Sequence, residues 1–257
     1  MPVQETPVCF TANGNRRVAA LLTIPEGKTD HVVLLSHGFL TNKNSTTNKT
    51  LTRTLTERGL ATLRYDFFGH GESDGPFANI TVDAAINQAL AALDWLAANG
   101  YNKIGMVGSS FGGLVSTLAA AQRPNIRCLG LKCPVVDFPE VLRLEFGEAG
   151  MVHWKAHNEI PDVTGGSKPL SLHYAFYENA LTHDGYTAAA SIRIPTLIVQ
   201  GERDELVPLH QSQQLMGLLQ GKRQLEVLPG ADHGFTKGDD FKTMTGLLAD
   251  WIVQHLT

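Results

Sequence analysis

Short runs of aliphatic and β-branched residues alternate with helical patterns along most of this chain, and no other feature narrows its possible folds as far. Residues 31–36, 60–66, 103–107, 126–133, 196–200 and 224–228 read as strands, apolar enough to be buried on both faces. Between them, 46–58, 82–99, 111–123, 209–219 and 241–255 read as helices. In one of these, Val82, Ile86, Ala89, Leu93 and Leu96 fall at three- and four-residue steps along one face. Strands joined through helices lie parallel, and right-handed crossovers put those helices on both faces of the sheet. Two earlier runs, 3–10 and 16–24, flank Asn13-Gly14-Asn15, a hairpin signal that adds an antiparallel edge. The expectation is an α/β protein with a mostly parallel, eight-stranded sheet.

The rhythm breaks once. From Pro134 to Arg193 the chain takes about 60 residues to reach its next strand, too long for a plain connection. This stretch holds Phe138, Phe146, Trp154, Tyr174, Phe176, Tyr177 and Tyr186, with helical patterns near 138–146 and 170–180. It is expected to form a helical cap inserted after the sixth strand, with 1–133 and 194–257 as the core and 134–193 as the cap. About half of the aromatics are expected to pack the cap's own small core.

Bulk composition excludes some function classes. A net charge of −4 with 18% charged residues provides no basic field for nucleic acid. The three cysteines, Cys9, Cys128 and Cys133, form no C-x-x-C pair, so no disulfide framework is expected and a reducing compartment fits better. The first residues, M-P-V-Q-E-T-P, lack the basic and apolar regions of a secretory leader, and no segment is long enough to span a bilayer. A cytoplasmic address and no membrane partner are expected. Oligomeric state is not legible.

The chemistry concentrates where the third parallel strand meets its helix, in K-I-G-M-V-G-S-S-F-G-G. Gly108 and Gly112 bracket Ser110 as G-x-S-x-G, and small neighbours there let the chain turn sharply and display a strained, exposed hydroxyl. Alone, the pattern also fits a glycine-rich turn or a phosphate loop. A serine hydroxyl is a poor nucleophile near neutral pH, so it needs a base and an acid to orient that base. The last strand runs into G-A-D-H-G-F, which puts His233 at a strand's C-terminal end. The preceding strand runs into G-E-R-D-E-L-V-P, which puts Asp204 in the equivalent place. In parallel sheets those ends form the ligand crevice. Asp137, beyond the sixth strand, competes for the acid's role, and Asp204 is preferred. The oxyanion of an attacked carbonyl needs fixed donors. The amide of Phe111, opening a helix, and that of Phe39, in the L-L-S-H-G-F-L turn shaped by His37 and Gly38, are the candidates.

Together these residues resemble the α/β-hydrolase superfamily of serine hydrolases, from the N-terminal hairpin to the final helix. R-Y-D-F-F-G-H-G-E-S-D-G, 64–75, is similar to a loop common in that superfamily whose role is structural, which implies that Asp66, His70 and Ser73 brace the loop. The wording of this loop, the cap and the single domain look most like cinnamoyl or feruloyl esterases and related small carboxylesterases. The resemblance implies a serine esterase acting on a small-molecule ester, with no cofactor. Monoacylglycerol lipases, thioesterases, haloperoxidases and acyl-peptide hydrolases share the pattern, and a non-catalytic ligand receptor on the same fold is a further alternative. Haloalkane dehalogenase-like chemistry uses an aspartate where Ser110 stands, and dienelactone hydrolases a cysteine. Oligopeptidases of the superfamily usually add a propeller, for which 257 residues leave no room. For the acyl group, Asp137, Tyr174, Tyr177 and Tyr186 are the substrate-binding candidates. His153 and His157 in H-W-K-A-H lack the glutamate of H-E-x-x-H and read as surface histidines rather than a metal site.

Overall fold

The aliphatic runs pair into one eight-stranded sheet, in the order 5–12, 16–23, 61–65, 31–36, 103–109, 126–132, 196–201 and 223–228. A computed structural model describes residues 5–27, 29–161 and 168–257. The strands are β1 (Glu5–Ala12), β2 (Arg16–Thr23), β3 (His31–Ser36), β4 (Ala61–Tyr65), β5 (Lys103–Ser109), β6 (Ile126–Lys132), β9 (Thr196–Gly201) and β10 (Arg223–Leu228). β2 runs antiparallel to both β1 and β4, and every other pairing is parallel. The hairpin turns at Asn13-Gly14-Asn15, where all three residues take positive φ. Residues 3 and 4 of the strand expected over 3–10 lie outside the described residues.

Side-chain alternation along the strands sends apolar residues to both faces, and each face is covered by its own helices. One core cluster packs against α2 (Val82–Ala98) and α3 (Phe111–Gln122). The other packs against α1 (Thr46–Glu57) and α8 (Asp240–Leu256). Capping residues start the helices. Ser45 Oγ accepts from the Asn48 amide of α1, and Thr81 Oγ1 accepts from Ala84 in α2. α7 (Leu209–Leu218) joins β9 to β10. β10 departs from the double-sided burial expected of it. It pairs only with β9 at the sheet's edge, and its residues are exposed or half-buried.

After β6 the chain leaves the sheet, as expected, and returns at Thr196. The helical pattern at 138–146 is the first half of α4 (Phe138–His157), which bends at Gly147 (φ 61°, ψ 177°). The pattern at 170–180 is helical only in part. Leu170–Ser171 (β8) pairs with Glu159–Ile160 (β7), and α5 covers Ala175–Ala180. The cause is Asn158, which ends α4 in a left-handed conformation (φ 55°). Its carbonyl takes the Leu172 amide at 2.9 Å and its side chain takes the Tyr174 amide at 2.8 Å. Backbone groups satisfied across this link have no need of a helix. A further short helix, α6 (Gly185–Ala189), precedes β9.

Candidate active site

β5 runs straight into α3 with Ser110 alone between them. Ser110 takes φ 53° and ψ −117°, a region that a residue with a side chain occupies only when its surroundings impose it. Both flanking glycines answer to close approach. A Cβ on Gly108 would stand 2.3 Å from the Gly112 carbonyl oxygen, and one on Gly112 would stand 2.4 Å from that of Ser36. The bend is clamped from both sides. The Ser110 amide donates to the Lys132 carbonyl at 2.9 Å, and its carbonyl accepts from Gly113 at 2.8 Å and Val135 at 3.1 Å.

His233 stands after β10 with Nδ1 at 2.8 and 2.9 Å from the two Asp204 oxygens. Asp204 is held in turn by the Leu206 and Val207 amides and by Gln200 Nε2, whose own oxygen takes the Ser212 hydroxyl. Burial works against the charge of Asp204. The hydrogen bond and charge of His233, with the Val207 amide, outweigh it and hold the carboxyl below its ordinary pKa. An ionised carboxylate can only accept, so Nδ1 donates, and in the neutral ring Nε2 carries the lone pair. Cys133 offers its sulfur within 4.8 Å of the Asp204 and His233 ligand atoms. Burial pushes that thiol well above its ordinary value and keeps it neutral.

The turn carrying Phe39 hangs on two buried neutral histidines. His37 Nε2 accepts from the Phe67 amide at 3.0 Å, and His70 Nε2 accepts from the Leu40 amide at 3.3 Å. Burial lowers both pKa values, that of His37 to about 3. The loop supplying these partners is braced by Asp66. That residue takes the Lys43 and Glu72 amides and the Lys43 ammonium, while its carbonyl takes the Ser73 hydroxyl at 2.7 Å. The sequence pointed to Asp66, His70 and Ser73 as braces, and the contacts agree. Among the described residues the Phe39 and Phe111 amides donate to no other group of the chain. Their side chains meet edge to face, with ring centroids 5.6 Å apart.

Ser110 and His233 open on one cavity of about 280 Å³. One part of its wall is apolar, with Val135, Phe138, Val141, Leu142, Phe146 and Val207. Another part is polar, with Thr41, Ser45, Thr47, Ser109 and Lys132. The elements thus bring together Ser110, His233 and, through His233, Asp204, with Phe39 on the same wall and Phe111 next to the serine. Asp137 lies elsewhere. It caps α4, accepting from the Glu140 amide at 2.8 Å, and lines a separate depression with Tyr186. Tyr174 and Tyr177 face another depression beside Lys155, and the Tyr177 hydroxyl takes Arg143 at 2.9 Å. None of the three tyrosines reaches the Ser110 cavity. His153 and His157 stack on α4 without a third ligand among the described residues.

Two buried lysines, Lys43 and Lys132, were not among the residues expected at the site. Lys43 sits in a polar loop whose composition carries no signal. Lys132 did carry one, being a lone cation at the end of the apolar run C-L-G-L-K-C. Gln200, which steadies Asp204, is equally unmarked as a polar residue ending a buried strand.

The sheet order and the serine turn define an α/β-hydrolase. Within that class, the chain belongs to the prolyl oligopeptidase family, whose model matches residues 48–257. A Mycobacterium tuberculosis protein that bears a phosphoribosyl transferase name is 26% identical over 259 residues. The match takes in 99% of this chain and 47% of that protein, so the chain spans about half of its length. The rat mitochondrial palmitoyl-protein thioesterase ABHD10 is 27% identical over 195 residues, 74% of this chain and 64% of that protein. Among solved structures, Est1E from Butyrivibrio proteoclasticus with ferulic acid bound superposes with a TM-score of 0.82 at 25% identity, covering 94% of this chain and 96% of that one. Mouse ABHD10 shares the fold, with a TM-score of 0.81 at 22% identity over 97% and 99% of the two chains.

Proposed function

We propose that the chain is a carboxylic ester hydrolase that works through an acyl-enzyme. One observation carries this reading. A strained serine and a histidine fixed by a buried carboxylate face one cavity. His233 Nε2 removes the Ser110 proton as Oγ attacks the ester carbonyl, and Asp204 stabilises the imidazolium that results. The Phe39 and Phe111 amides hold the oxyanion, each contributing roughly 3 kcal/mol of transition-state stabilisation. Collapse expels the alcohol, which leaves with the proton from His233. Water then gives a proton to the same base, attacks the acyl carbon and releases the acid and free Ser110. No step draws on a metal or an organic cofactor.

Residues 134–193 act as a cap over a core of 1–133 and 194–257, and the cap selects the acyl group. Phe138, Val141, Leu142 and Phe146 on α4 favour a small or aromatic acyl chain, and the likeness to Est1E with ferulic acid points the same way. A second reading, thioester hydrolysis, draws on the ABHD10 relative. Rapid mixing with p-nitrophenyl acetate tests the mechanism. A burst of p-nitrophenolate near one equivalent, absent in Ser110→Ala, is expected, and linear release without a burst at any substrate concentration counts against a rate-limiting acyl-enzyme. Parallel oxygen esters and thioesters of one aromatic acid separate the two substrate readings, the oxygen ester being preferred.

A further inference from the structure

Two of the polar groups that line the Ser110 cavity and that the mechanism leaves unused, Lys132 and Ser109, are neighbours. Lys132 ends β6, Ser109 ends β5, and the two residues are in register in adjacent parallel strands, so their side chains leave the sheet on the same face. Lys132 is 7% exposed and Ser109 8%. The Lys132 ammonium donates to the His233 carbonyl at 2.5 Å and lies 5.5 Å from the centre of the Phe235 ring. Among the described residues it has no carboxylate partner. The buried carboxylate of this region, Asp204, is taken up by His233, Gln200 and two backbone amides. The Ser109 hydroxyl is buried and makes no hydrogen bond at all among the described residues.

A buried cation without a counter-ion is costly, and a buried hydroxyl without a partner adds to that cost. Lys43 shows the ordinary solution in this same molecule. It is just as buried, and it pairs with both Asp66 and Glu72. Lys132 instead lines a cavity, and the start of α1 lines the same cavity. Ser45 and Thr47 line the cavity there, the first turn holds no acidic residue, and among the described residues the Thr46 and Thr47 amides donate to no other group. An ammonium and a hydroxyl side by side in adjacent strands, with a helix N-terminus on the same cavity, are the donors an anion needs. Glu145, the cavity's own carboxylate, is exposed on α4 with the apolar wall of the cap.

We propose that Lys132, Ser109 and the first turn of α1 form an anion subsite, so that the preferred substrates are esters carrying a carboxylate. This rests on the ester-hydrolase reading and adds a substrate class to it. The carboxylate can belong to the acyl part, as in a half-ester of a dicarboxylic acid, or to the alcohol part, as in an ester of a hydroxy acid.

Two isosteric pairs test it and tell these sources apart. Mono-p-nitrophenyl glutarate is compared with p-nitrophenyl 5-methylhexanoate, and 4-acetoxybenzoate with 4-acetoxybenzamide. The expected result is a kcat/KM preference of about tenfold or more for the anionic member of one pair. Lys132→Arg keeps the preference, Lys132→Met removes it, and Ser109→Ala weakens it by about threefold. Discrimination under about twofold in both pairs overturns the proposal whatever the variants do. So does an equal loss on both members of a pair in Lys132→Met, since Lys132 would then only hold the His233 loop through its carbonyl. If neutral esters give a Ser110-dependent burst while charge is ignored, only the subsite fails. If neither charge class is turned over and Ser110 resists acylation, the hydrolase reading fails with it.

Discussion

The two walls of the Ser110 cavity are built by different means. The rim contributed by the sheet loops is tied by polar bonds that allow few substitutes. His37 and His70 hold the turn of Phe39, Asp66 holds the loop beneath it, and Asp204 holds His233. The wall contributed by α4 meets the cavity with Phe138, Val141, Leu142 and Phe146, which touch by shape alone. Hydrogen bonds fix direction, so the rim places reacting groups. Dispersion contacts have little direction, so the α4 wall can change in size without disturbing the chemistry opposite. Variants of the rim should lower turnover for every ester, and variants of the α4 wall should change which ester is used.

The largest effect expected on the rim comes from Asp204→Asn. It leaves His233 without a carboxylate to set its tautomer, and kcat should fall by about 10⁴-fold on any ester. Asp137→Asn should change kcat by less than about twofold, because that side chain caps α4 and lies off the cavity. Equal losses in the two variants would erase the distinction between the walls. Next comes the elbow itself. Gly112→Ala pushes a methyl group against the Ser36 and His37 carbonyls, which cannot yield as a side chain can, and should cost about 3 kcal/mol in urea unfolding.

Acid should weaken the rim before it affects the α4 wall. Burial first, with the electrostatic influence of His70 and Lys43, lowers the His37 pKa to about 3. The unfolded chain takes up this proton near pH 6.5, while the folded chain does not until near pH 3. The stability is therefore fully present above about pH 6.5 and is lost as pH falls from there toward 3, by ~1.4 kcal/mol per pH unit for this group. His70 adds in the same direction. Urea unfolding at pH 7.5 and 5.5 measures this, and equal midpoints would contradict the neutral, buried state of both rings. The smallest effect belongs to the α4 wall. Leu142→Ala should raise KM about tenfold for an aromatic ester while leaving an acetate ester within about twofold. A matched fall in kcat on both esters would mean that the wall takes part in the chemistry.

The same contrast accounts for what the sequence revealed. The placement of Ser110, Asp204 and His233 on one rim was legible because each follows the C-terminal end of a strand, Ser110 and His233 beside glycines. The eight strands were legible because a parallel sheet covered on both faces permits little besides aliphatic residues in its centre. β10 misled because an edge strand can share that composition without being buried. The segment after β6 was legible as an insertion and not as a surface. Asn158 redirects 170–174 into a strand and a turn through contacts that no local propensity encodes. Tyr174, Tyr177 and Tyr186 have the chemistry to bind an aromatic acid, yet they face other depressions. Lys132 was visible all along as a charge in an apolar run, but its meaning needed Ser109 and α1 beside it.

The proposed chemistry requires the strained Ser110 to be a nucleophile activated by His233. Intact-mass and peptide analysis after exposure to a fluorophosphonate tests it most directly. One adduct is expected, on Ser110, formed rapidly by the unaltered chain, far more slowly by His233→Ala and not at all by Ser110→Ala. An unmodified Ser110 after prolonged exposure, or an adduct on another residue at the same rate in all three proteins, would contradict it.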